Sequence, residues 1–391
     1  MKLELSSIRA QNLRNIFMII HQQGSTTRSI LAKETGLSLM TVSNVVDVML
    51  NDGLVAVTSK KSSAGAGRKA ELVSVNPKSH IMLILDLTSY AFDHVVLGVN
   101  GRVVLDAKPI PTHSEMNFEA ALKAYLSEVR QELADAKLLD RLMGVGLSVP
   151  GPYQQDTDTV FNKLIPELNT MPLLSTVQIF FPSVLVYDVN EDVKYAAQAN
   201  LAAMENASEI TAAYIYLGAG LGGALMSQGR VMMGASAMAG ELSPLVIGPD
   251  MRRAGSLNRS DFLRALDIDP NGDWVTQLVR AKAQNPDKVM ALVDQVLADM
   301  TELCFALTWL WDPHRIIIEC DHIRLLDESF DDRLQKLLAS RLQGVAPAHP
   351  CVTMTRHGLR YAYRGAAMSL VMRYLDFLAV DHSYASSEGD N

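Results

Sequence analysis

The chain has 391 residues, 48% hydrophobic and 20% charged; the length exceeds a usual single domain and the balance excludes a mainly disordered chain. No apolar run reaches the roughly 18 residues of a membrane span, and the start Met1-Lys2-Leu3-Glu4 carries an acid where a signal peptide would turn apolar, so a cytoplasmic protein without membrane contact is expected. The net charge of −8 excludes a protein coated throughout by nucleic acid, yet residues 1–80 hold ten Lys/Arg against five Asp/Glu, a balance of +5 that leaves −13 for the rest, so only the head is expected to meet a polyanion.

Apolar Ile8, Leu13, Ile16, Phe17, Ile19 and Ile20 predict a first helix up to Gln22, stopped by Gly24. Thr27 precedes a short second helix, Arg28 to Thr35, with Gly36 at its C-terminal cap. Ser38 opens a third, in which Val42, Val45, Val46, Met49 and Leu50 form one stripe and leave Thr41, Ser43, Asn44 and Asp47 on other faces until Asp52-Gly53. Helix, short turn and helix is the arrangement that offers the second helix's N-terminal polar side chains to base edges in the major groove. A strand at 54–58, a flexible basic stretch from Ser59 to Lys69 and a return strand at 72–75 predict a wing with a cationic tip. The expected DNA contacts are Thr41, Ser43 and Asn44 for sequence, and Arg28, Lys60, Lys61, Arg68 and Lys69 for phosphates. The plainer alternative is a three-helix packing module with solvated charges.

Asn76-Pro77 marks a boundary, giving a head over 1–77 and a body over 78–391. In the body, strands are expected at 81–87, 91–99 and 103–105, a helix at 118–137 and a strand at 144–149 running into Pro150-Gly151-Pro152. A strand at 183–187 is expected to lead into a helix over 188–205, and a strand at 212–217 into the loop Gly218-Ala219-Gly220-Leu221-Gly222-Gly223. The alternation predicts an α/β body with mixed sheets. The glycine loop opens no helix, so a dinucleotide fingerprint is excluded and a β-hairpin continuing through Gln228-Gly229-Arg230 is preferred. Cys304, Cys320 and Cys351 make no CxxC pair and read as free thiols. His80, His94, His314 and His357 are isolated and read as structural or exposed; Trp309 and Trp311 read as core.

The order of these motifs resembles the ROK family (repressors, open reading frames and kinases). The head segment Arg28-Ser29-Ile30-Leu31-Ala32 through Gly36-Leu37-Ser38, Thr41-Val42-Ser43 and Gly67-Arg68 resembles the winged helix of its repressor branch. Pro150-Gly151-Pro152, Asn190-Glu191-Asp192, the 217–223 loop, Gly229-Arg230, Ala239-Gly240-Glu241, Asp312-Pro313 and Gly365-Ala366-Ala367 resemble its sugar-kinase-like body. The resemblance spans almost the whole chain and implies a two-lobed, actin-like body. It places Asp192 at the position of the family's catalytic base or ligand contact, and Glu191, Gly220, Glu241 and Asn162 beside an effector. From the residues alone, Asp192 reads equally as an acid stabilised at a helix N-terminus.

The chain departs from the pattern in four places. The Asp-x-Gly-Gly-Thr loop of the kinases appears as Asp86-Leu87-Thr88-Ser89-Tyr90, placing Leu and Tyr side chains where phosphates must lie, and Glu319-Cys320-Asp321 replaces a Gly-Gly turn near the adenosine. No catalytic residue is therefore assigned. Gly240-Glu241 is followed by Leu242-Ser243-Pro244, and residues 245–275 hold neither Cys nor His, so the family's zinc site is expected to be lost and no metal or cofactor is assigned. Lys194 stands where the family has a second asparagine and could pair with Asp188 or with a ligand anion.

The expected protein is a repressor of carbohydrate genes. It binds a duplex operator as a homodimer or homotetramer and answers to a sugar-like effector in the body cleft near Asp192 and the 218–223 loop. The rivals are a sugar kinase with a DNA-binding head and a ligand-blind DNA-binding dimer.

Overall fold

The computed structural model describes residues 2–61, 70–87, 91–106, 110–111, 117–163, 165–204, 206–355 and 361–385. By contacts the chain divides into two units, residues 1–190 with 366–391, and residues 191–365.

The first unit begins with the head: α1 (Lys2–Gln23), α2 (Arg28–Thr35), α3 (Leu39–Asp52), β1 (Val55–Lys61) and β2 (Ala70–Val75). The helical periods buried Leu13, Ile16, Phe17 and Ile20 of α1 against Leu31, Val42, Val46 and Met49, with Leu54 and Val73 closing the core from the strands. Gly36 and Gly53 end α2 and α3 in the left-handed conformation, as the sequence implied. Ile8, expected on the apolar face of α1, is exposed. Ser59, Lys60 and Lys61, expected in a flexible tip, instead continue β1 and pair with Leu72, Glu71 and Ala70 after a bulge between Val57 and Ser59. The bulge adds a residue that lets the ladder resume beyond the break the sequence suggested.

The rest of this unit is built on the sheet order β10-β7-β3-β4-β5, from β3 (Ile81–Asp86), β4 (Ala91–Gly98), β5 (Val103–Asp106), β6 (Ile110–Pro111), which pairs with β4, α4 (Phe118–Asp135), β7 (Leu142–Val149), β8 (Tyr153–Gln154), β9 (Thr159–Val160), α5 (Leu173–Phe180) and β10 (Val186–Glu191). β3 runs parallel to β7 and antiparallel to β4. The strand expected at 183–187 begins later and runs to Glu191, so the following helix starts at Asp192 and not at Asp188. Asp188, read as a helix acid, is a buried strand residue whose carboxyl meets the Arg373 guanidinium at 2.6 Å.

The second unit opens with α6 (Asp192–Ala202). Its sheet, order β13-β12-β11-β16-β17, combines β11 (Ala212–Leu217), β12 (Leu221–Ser227) and β13 (Arg230–Val231) with later strands. Leu221-Gly222-Gly223, expected in a loop, belongs to β12, so the hairpin turn is confined to 218–220. A small hairpin, β14 (Val246–Ile247) and β15 (Arg252–Arg253), precedes α7 (Arg259–Arg264), α8 (Trp274–Gln284), α9 (Pro286–Trp311), β16 (Arg315–Glu319), α10 (Asp321–Leu326), α11 (Phe330–Leu342) and β17 (Cys351–Met354). The last helix, α12 (Tyr361–Ala385), starts in this unit and ends in the first. Trp309, expected in the core, is 55% exposed because the inward stripe of α9 runs through Cys304, Leu307 and Thr308; the Trp311 indole donates to the Ala212 carbonyl.

Candidate functional site

In the head, two caps fix the turn between α2 and α3. Thr27 Oγ1 accepts from the Ile30 amide at 3.3 Å, and Ser38 Oγ accepts from the Thr41 amide at 3.1 Å. With Val42, Val45, Val46 and Met49 buried on one side, Asn44 is exposed and Thr41 and Ser43 are half-buried on the other. No acidic residue lies in the first turn of α3, which leaves its N-terminal dipole open to an anion. Arg28 reaches α3: its guanidinium lies 2.7 Å from Asp47 Oδ1 and donates to the Ser43 carbonyl at 3.3 Å. It thereby neutralises an acid on α3. Lys60 and Lys61 are placed by their backbone alone, and Arg68 and Lys69 lie outside the described residues.

A cleft of about 360 Å³ between α1 and α3 is lined by Ile8, Arg9 and Asn12 on one side and Thr41, Asn44 and Val48 on the other. It brings Arg9, which sequence reasoning counted only as charge, beside the expected reading residues. The available signal was Arg9 standing next to Ile8 on a face that the core does not use.

The second unit gathers Glu191, Asp192 and Glu241. β12 carries glycines where two neighbours press on it: a Cβ at Gly222 would stand 3.2 Å from Val193, and one at Gly223 would stand 2.7 Å from the Gly240 carbonyl and 2.5 Å from Leu242. Those approaches bring the start of α6 and the Gly240-Glu241 turn onto one strand. Lys194 is buried; its ammonium meets the Glu191 carboxyl group and donates to the Ala237 carbonyl, and Asp188, one of the two partners open to it in the sequence, pairs with Arg373 instead. Glu191 thus faces the Lys194 cation and, through a hydrogen bond, the Glu241 carboxyl. Glu191 is pushed up to about 8, by burial first, against the pull of Lys194 and with Glu241 adding to the rise.

Glu191 is only 5% exposed and serves as the support of the cluster, while Asp192 and Glu241 keep partial access to solvent. Asp192 is the first residue of α6 and accepts from the Val193 amide at 2.6 Å, the stabilised helix acid that the residues alone suggested. It also helps burial raise the Tyr216 phenol. Gly220 is exposed at the hairpin tip, held by Arg259 N donating to Gly218 O at 2.8 Å and Ser260 Oγ to Ala219 O at 3.1 Å.

Asn162 belongs to the first unit, where its side chain serves the backbone: Nδ2 donates to the Pro150 carbonyl at 2.5 Å and Oδ1 accepts from the Ile165 amide at 2.8 Å. Leu87 is fully buried in the core of this unit and does not stand in phosphate space as expected; Thr88, Ser89 and Tyr90 lie outside the described residues. In the second unit Glu319 is buried and accepts from the Tyr214 hydroxyl at 2.5 Å and from Thr355 Oγ1 at 3.3 Å. A carboxylate buried at the turn where the kinases place glycines fits an adenosine poorly.

The residues after Glu241 do not fit the zinc ion that the family pattern implies. Leu242 is buried, Ser243 Oγ donates to the Leu221 carbonyl at 2.7 Å, and Ile247, Ala254, Leu257 and Phe262 pack the segment into the core. Apolar packing orders here what soft ligands order in the family pattern. His94 is held by Tyr125 and Glu132, His322 lies beside Cys320, and His314 Nδ1 accepts from the Thr211 amide; His357 lies outside the described residues. Among the described residues no helix is long and apolar enough to cross a membrane.

Residues 86–255 match the ROK family. The chain carries a ROK-family domain. The ROK domain covers the sheet of the first unit from Asp86 onward and the second unit through the Glu241 turn. A xylose repressor of Caldicellulosiruptor bescii is 25% identical over 225 residues, 56% of this chain and 55% of that protein. The chain spans little more than half the length of the curated repressors it matches. A crystal structure described as a ROK family transcriptional regulator, homolog of the E. coli MLC protein, superposes with a TM-score of 0.74 at 19% identity, covering 95% of this chain and 98% of that one. That coverage takes in the head as well as the body. The ROK hexokinase of Thermus thermophilus superposes with a TM-score of 0.61 at 20% identity, over 76% of this chain and 99% of the enzyme. The fold is therefore α/β, a winged helix-turn-helix head with a ROK-type, sugar-kinase-like body.

Proposed function

We propose that this protein is a DNA-binding transcription regulator, a repressor of carbohydrate genes that answers to a sugar or sugar derivative. The observation that carries the reading is α3: capped by Ser38, free of acid in its first turn and displaying Asn44 beside Thr41 and Ser43, on a head whose residues 1–77 carry a net charge of +4. The head over 1–77 meets a duplex operator, and the body over 78–391 senses the effector and holds copies together as a homodimer or homotetramer in the cytoplasm. Asp192 and Glu241 contact the effector's hydroxyl groups, with Glu191 and Lys194 holding them from beneath. No zinc or other cofactor takes part. The effector acts only through unequal affinity for the DNA-competent and DNA-incompetent arrangements. Genomic footprinting of the protein tests this: it is expected to occupy duplex sites beside carbohydrate genes, and an absence of affinity for any chromosomal fragment at low ionic strength overturns it.

The buried Glu319 carboxylate and the missing glycines after Asp86 support a regulator over a phosphotransferase. The likeness to a hexokinase favours the second reading, a sugar kinase with a DNA-binding head. A coupled assay with ATP and common hexoses separates them: turnover abolished by Asp192→Asn establishes the kinase. Concentration-dependent thermal stabilisation by one member of a sugar panel supports an effector; no shift with any member favours the ligand-blind dimer.

A further inference from the structure

Two large apolar side chains stand in water at the tip of the reading helix. Leu39 is 56% exposed and Met40 is 76% exposed, the most exposed of the large apolar side chains among the described residues. They lie off the buried stripe of Val42, Val45, Val46 and Met49. Met40 shares its face with Asn44 one turn on, and Leu39 shares its face with Ser43. The packing of the head makes no use of either. Scattered exposed apolar residues need no explanation, but this adjacent pair occupies the first turn of the helix that a helix-turn-helix inserts into the major groove.

We propose that Leu39 and Met40 form an apolar reading edge that packs on the C5-methyl groups of thymines in the operator. The inference rests on the DNA-binding reading above and adds a base preference to it. The C5-methyl of thymine is the apolar group on the base edges of the major groove, and a flexible Met side chain can follow it. Charge fixes the occupant as DNA: the head is net positive, the first turn of α3 carries no acid, and Asp47 on the same helix is neutralised by Arg28 at 2.7 Å. Thr41 and Asn44 supply hydrogen bonds on either side of the methyl contact, so thymine is read next to a base that offers donors or acceptors.

The experiment is a selection of bound duplexes from a random pool with the full chain, followed by affinity measurements in which single thymines are replaced by deoxyuridine. That replacement removes one methyl and nothing else. The unmodified protein is expected to lose about fourfold per half-site at one or two thymines, the worth of one buried methyl. Met40→Ala, or Leu39→Ala at the neighbouring position, is expected to bind the two duplexes equally. Indifference of the unmodified protein to every such replacement overturns the inference, as does full retention of the preference in both variants. A changed mass in solution for Met40→Ala with unchanged base preference makes the edge a protein contact and overturns it too. Failure to select any duplex at low ionic strength overturns the DNA-binding reading itself, and the reading edge with it.

Discussion

The Tyr374 hydroxyl, on the last helix of the chain, donates to the Asp52 carboxylate at 2.8 Å, and Asp52 is the final residue of the reading helix. His80 Nε2 lies 3.3 Å from the same hydroxyl and 3.7 Å from the other Asp52 oxygen, and Arg14 of α1 meets Asp376, two residues further along α12, at 3.3 Å. The buried phenol and these half-buried polar groups fix the end of α3 and the start of the body to α12. Tyr374→Phe removes the hydroxyl and leaves Asp52 short of a donor, at a cost of about 1–2 kcal/mol. Hydrogen exchange is expected to quicken in the last turn of α3 while the core strands β3 and β7 keep their protection. Unchanged exchange in α3 would show that the contact does not hold the head.

The same junction responds to acid. Burial lowers the His80 imidazole below its ordinary value, with Asp52 pulling against burial and Arg141 adding to it. Among the described residues Tyr374 is the other polar group against the ring, its hydroxyl 3.3 Å from Nε2. The unfolded chain therefore takes up a proton that the folded junction resists. The stabilising contribution is present above the ordinary histidine value and is lost as the pH falls through the lowered one. His80→Gln is expected to flatten the fall in stability below about pH 6.5. Parallel pH profiles for the two proteins would remove His80 from the account.

Arg28 was readable in the sequence as a phosphate contact, but not as the partner of Asp47, because residues 19 apart reveal no contact until α2 and α3 are packed. The caps, the helix ends and the buried stripes of the head were legible since each depends on neighbours three or four positions away. The β10–α6 boundary was not. Asp188 reads locally as a helix acid, and only Arg373, 185 residues later, makes it a buried strand residue. Glu191 and Glu241 were named from their motifs, whereas Lys194 as the partner of Glu191 emerged only from the fold.

From the Arg28 contact follows a rescue experiment. Arg28→Ala leaves the Asp47 charge bare on the DNA-facing helix and is expected to weaken binding to specific and random duplexes alike, by about tenfold, with a shallower salt dependence. Adding Asp47→Asn restores part of the affinity, since the exposed acid is then gone. Asn44→Ala instead shifts preference at a single base pair by about 1–3 kcal/mol. Titrations at several salt concentrations check all three; identical losses for Arg28→Ala and Asn44→Ala on both kinds of duplex would contradict the assigned roles.

The proton held by Glu191 sets a second pH dependence with the opposite sign. Its folded value of about 8 lies above that of an exposed glutamate, so between about pH 4.5 and 8 the native chain holds a proton that the unfolded chain has released. The stabilising contribution is complete at the acid end of that window and is lost as the pH rises to about 8. Glu191→Gln is expected to remove a slope worth on the order of 2 kcal/mol across it. Urea unfolding at pH 5.5 and 8.5 measures the difference, and an unchanged slope would remove Glu191 from the account.

Gly240 is where the proposed effector site is most exposed to a single atom. Its φ is +91°, and a Cβ there would stand 2.6 Å from the Gly223 carbonyl and 2.8 Å from the Ala224 Cα. None of these is the movable end of a side chain, so β12 and the Glu241 turn must separate. The separation acts on the Glu241 carboxyl directly and on Glu191 through their hydrogen bond. Gly240→Ala is expected to lose roughly 2–4 kcal/mol of stability from strain and overpacking together. It is also expected to abolish stabilisation by any sugar that stabilises the unmodified protein, while DNA binding at low ionic strength persists because the head packs on its own core. A variant that still gains thermal stability from the sugar would show that the Glu241 turn is not part of the effector site.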